Sequence, residues 1–337
     1  MRKILSLIMV TIITLAMTGC GSQAAKAPAG SEQPVAVKVQ KVNIATATTT
    51  GAYYPIGNAL AKIWSDKVPG VQASAQATEG SAANMNFLQQ KETEVALTMA
   101  NTAVYAYEGQ GAFKGRANKD LRGISFLYPN VTQFIVRKDS GINSLKDLVG
   151  KKIVPGATGS GTAVTSKEVL GVYGLNFWDK DKSNVKADYV GFTEAGEELK
   201  NKQADVAIFS GAMPLAAILD VSNSIDTKLI SLEPDMIKAI IKEYPFYFEY
   251  VIPKGTYKGQ DEDVHTVALA SLLVTRADLS EDLVYKLTKG LYENLPDLVA
   301  AHAVAKNIKK EDASQGMGTI PMHPGAIKYY KEIGVMK

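Results

Sequence analysis

The sequence predicts an α/β protein whose body consists of two lobes with the same topology. From Lys41 onward, short strand-like runs alternate with amphipathic helices, a pattern typical of parallel sheets covered on both faces. Leu88–Leu97 and Leu199–Ile208 match loosely at ten positions, and each places an acidic residue before a buried Val-Ala-aliphatic strand. The alternative is a chance match. A length of 337 residues also favours two domains.

The first half of the body contains three short strands and one long apolar stretch. Ile56, Leu60 and Ile63 fall on one face of its first predicted helix, which is the spacing of an amphipathic helix. The predicted strands are Val42–Ala47, Val71–Thr78, Val95–Met99 and the apolar stretch Gly123–Lys138, and the predicted helices start at about Pro55 or cover Ser81–Gln90 and Asn101–Tyr107.

The second half repeats the alternation and ends in helices that reach Tyr330. The predicted strands are Lys152–Val154, Val185–Val190, Val206–Phe209, Lys228–Ser231 and Val264–Arg276, and the helices between them are Ser160–Tyr173, Thr193–Lys202 and Ala212–Leu219. In open α/β sheets, ligands bind at the carboxyl ends of the strands. We therefore expect the two halves to share a cleft there.

The N-terminus predicts export and a lipid anchor. Arg2 and Lys3 precede an apolar run that ends at Thr18-Gly19-Cys20, as in a secretory signal peptide. The chain's single cysteine lies where a bacterial lipoprotein is acylated; the alternative is a buried free cysteine behind an ordinary signal peptide. Residues 21–40 are rich in Ala, Gly, Ser, Gln and Pro, which predicts a flexible linker.

Charge and hydropathy exclude two classes of partner. Removing the first 20 residues takes away two of the 37 basic residues and none of the 34 acidic ones, which leaves a net charge of +1. Nucleic-acid binding requires a concentrated basic surface, so we expect no nucleic-acid partner. No second apolar run approaches the ~20 residues that span a bilayer, so the membrane contact should be the lipid alone.

The strongest binding signal is the glycine-rich segment from Gly156 to Thr162, between a strand and a helix. It lacks the lysine of a Walker loop and the glycine spacing of a dinucleotide fingerprint. Backbone N–H groups and the hydroxyls of Thr158, Ser160 and Thr162 at a helix N-terminus suit a small anion such as a carboxylate. The alternative is a plain turn capped by Ser160 or Thr162.

Other helix starts and strand ends carry similar small polar residues. They are the segment Thr48–Pro55, Ser81 with Asn84, Asn101, and the strand exit Phe209–Pro214. If Ser81, Asn84 and Asn101 count as one cluster and the glycine-rich segment is added, each half has two such clusters, and turn chemistry alone does not explain all four. Tyr53 and Tyr54 would supply walls and hydroxyl donors to a pocket.

Catalysis finds no support in the residue pattern. His265, His302 and His323 share no metal-ligand spacing, and no nucleophile motif is present. The acidic run Asp261–Asp263 lacks the glycine and the terminal glutamate of a calcium loop. We expect no enzyme activity, no metal and no cofactor.

Motifs along the whole mature body resemble the TAXI-type solute receptors of tripartite ATP-independent periplasmic (TRAP) transporters. The resemblance is carried by TGAYYPIGNALAKI, ATEGSAANMNFLQ, the run around Leu121–Gly150, GATGSGT, ADVAIFSGAMP, IPKGTYKGQDEDV and MHPGAIKYYKE. It implies a type II periplasmic binding protein fold, with two α/β lobes, crossing hinge strands and a ligand cleft between the lobes. The implied protein is a monomer that captures glutamate, 2-oxoglutarate or another C4–C5 acid for an integral membrane permease.

The resemblance also implies lobe limits and ligand-binding residues. Crossing strands near Gly123–Lys138 and Val264–Arg276 would divide the body into lobe 1 (41–128 plus 263–337) and lobe 2 (129–262). The implied ligand-binding residues are Gly51, Ala52, Tyr53, Tyr54, Ser81, Asn84, Asn101, Thr158, Gly159, Ser160, Gly161, Thr162, Gly211, Met213 and Pro214.

One position departs from the family pattern. Where members often read Thr-Gly-Gly-Ser, this chain has Thr78-Glu79-Gly80-Ser81. An acid beside the cleft repels a second carboxylate and attracts an amino group, so it favours a zwitterionic ligand. Two other functional classes stay open: a binding lipoprotein of an ABC-type importer, and a surface adhesin with no transport role.

Overall fold

The computed structural model describes residues 39–337. The predicted signal peptide, Cys20 and nearly all of the predicted linker lie outside the described residues. Within the described part, one mixed ten-stranded sheet is flanked by ten α-helices. None of these helices combines the length and the hydrophobicity needed to cross a membrane.

Ten strands build the sheet, and two of them are much longer than the rest. In chain order they are β1 (Gln40–Ala45), β2 (Val71–Gln76), β3 (Val95–Met99), β4 (Leu121–Arg137), β5 (Lys152–Val154), β6 (Lys186–Ala187), β7 (Val206–Gly211), β8 (Thr227–Leu229), β9 (Tyr247–Ile252) and β10 (Val264–Arg276).

The helices follow the strands in the alternating order that the sequence predicts. They are α1 (Tyr53–Lys67), α2 (Ser81–Gln89), α3 (Ala100–Glu108), α4 (Gly161–Val172), α5 (Phe192–Lys200), α6 (Ala216–Ser224), α7 (Pro234–Glu243), α8 (Glu281–Glu293), α9 (Leu295–Ala301) and α10 (Pro324–Glu332). Short 3₁₀ turns connect several of them.

The strand order reveals the same topology twice. The sheet runs β2-β1-β3-β10-β4-β7-β5-β6, so in each half the first strand lies between the second and the third. The pairs β1–β2, β1–β3, β5–β6 and β5–β7 are parallel. The half containing β1–β3 is the first lobe and the half containing β5–β7 is the second lobe, as the internal match predicts.

The two long strands cross between the lobes. β4 pairs with β10 as far as Val131, and from Val131 to Val136 it pairs with β7. β10 pairs with β9 up to Leu269 and with β3 from Ser271. Each long strand is therefore a member of both lobes, which is the crossing arrangement expected from the resemblance.

An equivalent acidic residue joins the first and third strands in each lobe. The Glu94 carboxylate accepts a hydrogen bond from the Asn43 backbone N–H at 2.9 Å. The Asp205 carboxylate accepts one from the Lys152 backbone N–H at 2.8 Å. These bonds explain why an acidic residue precedes each Val-Ala-aliphatic strand: it fixes that strand beside the first strand of its lobe.

Four elements of the second lobe differ from the prediction. α7 and β9 were not predicted, and β6 is much shorter than the predicted strand Val185–Val190. α6 begins at Ala216 instead of Ala212. The Leu215 N–H donates to the Tyr257 hydroxyl at 2.9 Å, and this bond holds the strand exit in an extended path before the helix starts.

Candidate functional site

A cavity lies where four helices begin, two from each lobe. The N-termini of α1 and α2 meet those of α4 and α5 around about 550 Å³ of space, part of which opens to solvent. The lining residues are Ala47, Thr48, Gly51, Ala52, Tyr53, Glu79, Gly80, Ser81, Met99, Tyr128, Asn130, Ala157, Ser160, Gly161, Thr162, Gly191, Phe192, Ser210, Gly211, Ala212 and Leu215.

Three of these four helices have no side-chain cap. The residues before their first turns are Ala52, Gly80 and Gly191, and none accepts a hydrogen bond through a side chain from the helix behind it. α4 is capped by Ser160, whose Oγ accepts from the Ala163 N–H at 3.1 Å. In α1 and α5 the uncapped first-turn N–H groups, with helix dipoles of one sign, make the cavity suitable for an anion. In α2 the N–H groups of Ala82 and Ala83 are already bonded to a backbone carbonyl of the second lobe.

Contacts between the lobes close part of the cleft. The Gly159 carbonyl from the second lobe accepts hydrogen bonds from the N–H groups of Ala82 and Ala83, at 3.1 and 3.2 Å. A Cβ at Gly161 would lie 2.6 Å from both Met99 Sδ and Ser81 Oγ. The start of α4 therefore approaches the first lobe more closely than any residue with a side chain would allow.

A buried polar network forms the floor of the cavity at the crossing strands. The Asn130 side-chain amide donates to the Tyr53 hydroxyl at 2.9 Å and also to Ser271. Burial raises the pKa of Tyr53 to about 12, although hydrogen bonds from its neighbours work against this shift. Both Tyr53 and the adjacent Tyr128, whose pKa burial also raises, are therefore neutral and remain hydrogen-bonding phenols.

The lining residues carry very little charge. Glu79 is the one charged side chain among them, and it is exposed at the rim. Met99, Phe192 and Leu215 supply apolar walls, with hydroxyl groups between them. The cavity therefore combines partial positive charge at the helix ends with one negative charge at its mouth. This arrangement suits a small molecule that carries a carboxylate and a cationic group.

More than half of the predicted ligand-binding residues line this cavity. They come from the starts of α1, α2 and α4 and from the end of β7, so the fold brings together segments that are distant in the chain. The residues in the lining are Gly51, Ala52, Tyr53, Ser81, Ser160, Gly161, Thr162 and Gly211.

Two predicted asparagines are corrected by the structure, because their side chains hold the protein together instead. The Asn84 amide is buried and donates to the backbone carbonyls of Thr46 and Leu97 at 2.6 and 2.7 Å. The Asn101 amide donates to the Glu168 carboxylate at 2.8 Å. Neither amide lines the cavity, since each is fully occupied behind it.

Five further predicted residues lie outside the lining for local reasons. Tyr54 is the next residue along α1 from Tyr53 and therefore points elsewhere around the helix. Thr158 is exposed, and Gly159 uses its carbonyl at the start of α2. Met213 is half-buried and Pro214 is exposed, because the strand exit leaves the cavity after Ala212.

The crossing strand β4 and the start of α5 also supply residues to the cavity lining, and these residues were not predicted. Asn130 is a polar residue inside the long apolar stretch, and this interruption was a usable signal. Gly191 precedes α5 just as Gly80 precedes α2, so the internal repeat pointed to it as well. Ser210 lies one residue before the predicted Gly211 and also lines the cavity.

Two of the histidines, His302 and His323, have a structural role in the described part of the chain. His302 and His323 accept hydrogen bonds through Nδ1 from the N–H groups of Val304 and Gly325, and so cap the turns that follow them. Burial lowers the pKa of both imidazoles. Among residues 39–337, no three His, Cys, Asp or Glu side chains cluster as metal ligands would.

Several solved structures share this fold. A protein described as an L-cystine ABC transporter from Listeria monocytogenes is 18% identical with a TM-score of 0.50, covering 80% of this chain and 99% of that one. A structure concerning glutathione import via GshT and the cystine ABC importer TcyBC of Streptococcus mutans is 15% identical, TM-score 0.50, covering 80% and 96%.

XAC2383 from Xanthomonas citri bound to chloride ion is 13% identical with a TM-score of 0.50, covering 88% of this chain and 97% of that one. At such identities, the shared property is the two-lobed periplasmic-binding-protein fold. The model of the NMT1-like family matches residues 44–334, which is nearly the whole described part. The chain therefore belongs to the NMT1-like family.

Proposed function

We propose that this protein is an extracytoplasmic solute-binding receptor that captures a small carboxylate and delivers it to a membrane importer. The observation that carries the proposal is the meeting of four helix N-termini in one cavity, with no basic side chain in its lining. A carboxylate there would be held by N–H groups and hydroxyls. Membership of the NMT1-like family and the shared fold support the same conclusion.

The ligand class we propose is a C4–C5 acid with an amino group, of which glutamate is the model compound. Glu79 at the rim favours a cationic group on the ligand and disfavours a second carboxylate near it. 2-Oxoglutarate has the same carbon skeleton as glutamate and lacks the amino group. Comparison of these two acids therefore isolates the contribution of the ligand's amino group.

Two importer classes are candidates, and each has its own support. Two of the structural neighbours are named for ABC importers, which favours the ABC class. The motif resemblance to TAXI receptors favours a TRAP permease. We propose the ABC class first. Uptake that stops on ATP depletion while ion gradients are kept would support it, and uptake that follows the ion gradient would support the TRAP class.

Lipid attachment through Cys20 is a separate proposal that rests on the sequence. The anchor would hold the receptor at the outer face of a membrane, with the flexible linker allowing it to reach the importer. Cys20→Ser should release the protein from the membrane fraction and abolish its labelling by a radioactive fatty acid. A membrane-bound, unlabelled wild type would contradict the proposal.

A ligand screen tests the receptor function directly. We expect L-glutamate to raise the melting temperature of the purified protein and to bind with measurable heat, with 2-oxoglutarate weaker. L-cystine and an alkanesulfonate should be included, and glucose and a diamine serve as controls without a carboxylate. A flat melting profile across all carboxylates and amino acids would contradict the proposal.

A further inference from the structure

A buried carboxyl group connects the two lobes outside the cavity. Glu168 on α4 is 4% exposed. Its Oε2 accepts hydrogen bonds from the Tyr247 hydroxyl and from the Asn101 amide of α3, the latter at 2.8 Å. Its Oε1 is buried and has no hydrogen-bond partner in the described structure. Two donors therefore share one oxygen, and the other oxygen is free to carry a proton.

No cation neutralises this group within the described residues. The titratable groups around the carboxyl are the phenols of Tyr105 on α3, Tyr244 before β9 and Tyr247 at the start of β9. Burial raises the pKa of each of these phenols. Lys167 on α4 places its ammonium over the Trp178 ring, 5.1 Å from the centroid. Burial raises the pKa of Glu168 to about 7, against the opposing effect of its hydrogen bonds.

The contact is mechanically coupled to the cavity. Met99 lines the cavity and Asn101 follows it at the start of α3. On α4, Gly161 lines the cavity, and Thr165 and Glu168 lie one and two turns further along the same face. The Asn101 amide also lies 3.3 Å from the Thr165 hydroxyl. Separation of the lobes at the cavity would therefore break the bond between Asn101 and Glu168.

We propose that Glu168 is a proton-linked latch, which joins α3 to α4 when protonated, so that capture of a ligand takes up a proton. The proposal rests on the proposed function, because it assumes that the lobes close on a ligand. In the open form water reaches the carboxyl, and its pKa returns to the ordinary range. The closed form binds the extra proton between that range and about pH 7. Affinity should thus be highest in acid and fall as the pH rises.

The first experiment measures binding of L-glutamate by calorimetry between about pH 5.5 and about pH 8.5. The wild-type dissociation constant should rise at least about tenfold across this range. Glu168→Gln mimics the protonated group, so its affinity should stay near the acidic wild-type value throughout. A wild-type profile that Glu168→Gln reproduces would overturn the proposal, since the histidines and the rim are common to both proteins.

Glu233, which contacts the C-terminal end of α4, provides a matched control for Glu168. Glu233 accepts hydrogen bonds from Tyr173, the residue that follows α4, and from Ser144, at 2.6 and 2.8 Å. Burial alone would raise its pKa, but these bonds hold it at about 2. The group therefore stays ionised across the titration. Glu233→Gln should retain the wild-type pH dependence, and loss of that dependence would show that any change near α4 has the same effect.

The second experiment needs no ligand, and so separates failure of the latch from failure of the receptor proposal. Small-angle scattering of the free protein should show the wild type opening as the pH rises through about 7, because a charged Glu168 disfavours the closed form, whereas Glu168→Gln keeps one radius of gyration throughout. Tyr247→Phe, which removes a donor to the carboxylate, should enlarge the opening of the protein at high pH. Parallel pH profiles for all three proteins would overturn the latch.

A third arm distinguishes a proton from a metal ion as the counter-charge. The measurements are repeated with sodium replaced by N-methylglucamine. An unchanged pH profile supports the proton. Glutamate binding that requires sodium in the wild type, and loses that requirement in Glu168→Gln, would overturn the proposal in favour of a monovalent cation at the same carboxylate.

Discussion

At the scale of single residues, the cleft depends on the absence of side chains. Gly161 stands where a Cβ would meet Met99 Sδ and Ser81 Oγ at 2.6 Å. Gly80 has φ +113° and would place a Cβ 3.5 Å from Ser160 Cα. Gly161 is thus required by the approach of the two lobes, whereas Gly156 is required within its own loop, where φ is +103° and a Cβ would lie 2.8 Å from Thr162 Cβ.

Gly161→Ala should impair closure without unfolding the protein. The added methyl group overlaps two atoms of the first lobe, and overpacking of this kind costs about 1–3 kcal/mol. The affinity for L-glutamate should fall about tenfold or more, whereas the melting temperature of the free protein stays equal or rises. Gly171→Ala on the same helix is the control, because its Cβ meets Trp178 at 3.4 Å, an ordinary contact. Equal affinity in both variants would contradict the prediction.

Glu79→Gln should change the ligand preference of the protein and have little effect on its stability. The carboxylate is exposed at the rim, and its removal weakens attraction to an ammonium group while relieving repulsion of a carboxylate. The ratio of affinities for L-glutamate and 2-oxoglutarate should shift by about two- to tenfold toward 2-oxoglutarate. Glu92→Gln, an exposed acid remote from the cavity, should leave the ratio unchanged. Calorimetry with both acids checks this.

At the scale of elements, periodicity predicted most strands and helices but neither α7 and β9 nor the exact limits of the others. β3 and the start of β7 lie where the apolar runs place them, since both strands are buried on two faces. α6 starts four residues later than predicted, because the Tyr257 hydroxyl binds the Leu215 N–H. That partner is 42 residues away in sequence, so local pattern could not reveal it.

Removal of either repeat acid should destabilise its own lobe. Glu94→Ala and Asp205→Ala each leave a strand N–H without its charged acceptor, and such a loss costs about 1–3 kcal/mol. Urea denaturation should show this decrease for each variant, and nearly additive effects in the double variant because the acids lie in different lobes. Glu92→Ala should be nearly neutral. A neutral Asp205→Ala would contradict the structural explanation of the repeat.

At the scale of the whole molecule, the crossing strands decide how the lobes move. β4 and β10 belong to both lobes, and we propose that the hinge lies in them, near the predicted limits 128/129 and 262/263. Other described links across the cleft include the Gly159 carbonyl at the start of α2 and the contact of α3 with α4 through Asn101 and Glu168. Opening would break these links and leave the two crossing strands intact, as in a hinge motion.

Hydrogen exchange at Ala82 and Ala83 should report closure. Their N–H groups donate across the cleft to Gly159, so saturating L-glutamate should slow their exchange at least about tenfold. The amides of β3 are buried within the first lobe and should change little, which makes them the internal control. Equal protection of Ala82 with and without glutamate, under conditions where glutamate binds, would contradict a hinge-closing receptor.

The sequence alone determined the α/β class, the internal repeat and the segments that carry small polar residues, because these depend on local periodicity and turn chemistry. It also indicated Gly161, Tyr53 and Ser81 as cavity residues. Only the tertiary structure decided that Asn84 and Asn101 are occupied by internal hydrogen bonds and that Asn130 faces the cavity. The physical reason is that the availability of a polar side chain depends on which distant groups fold against it.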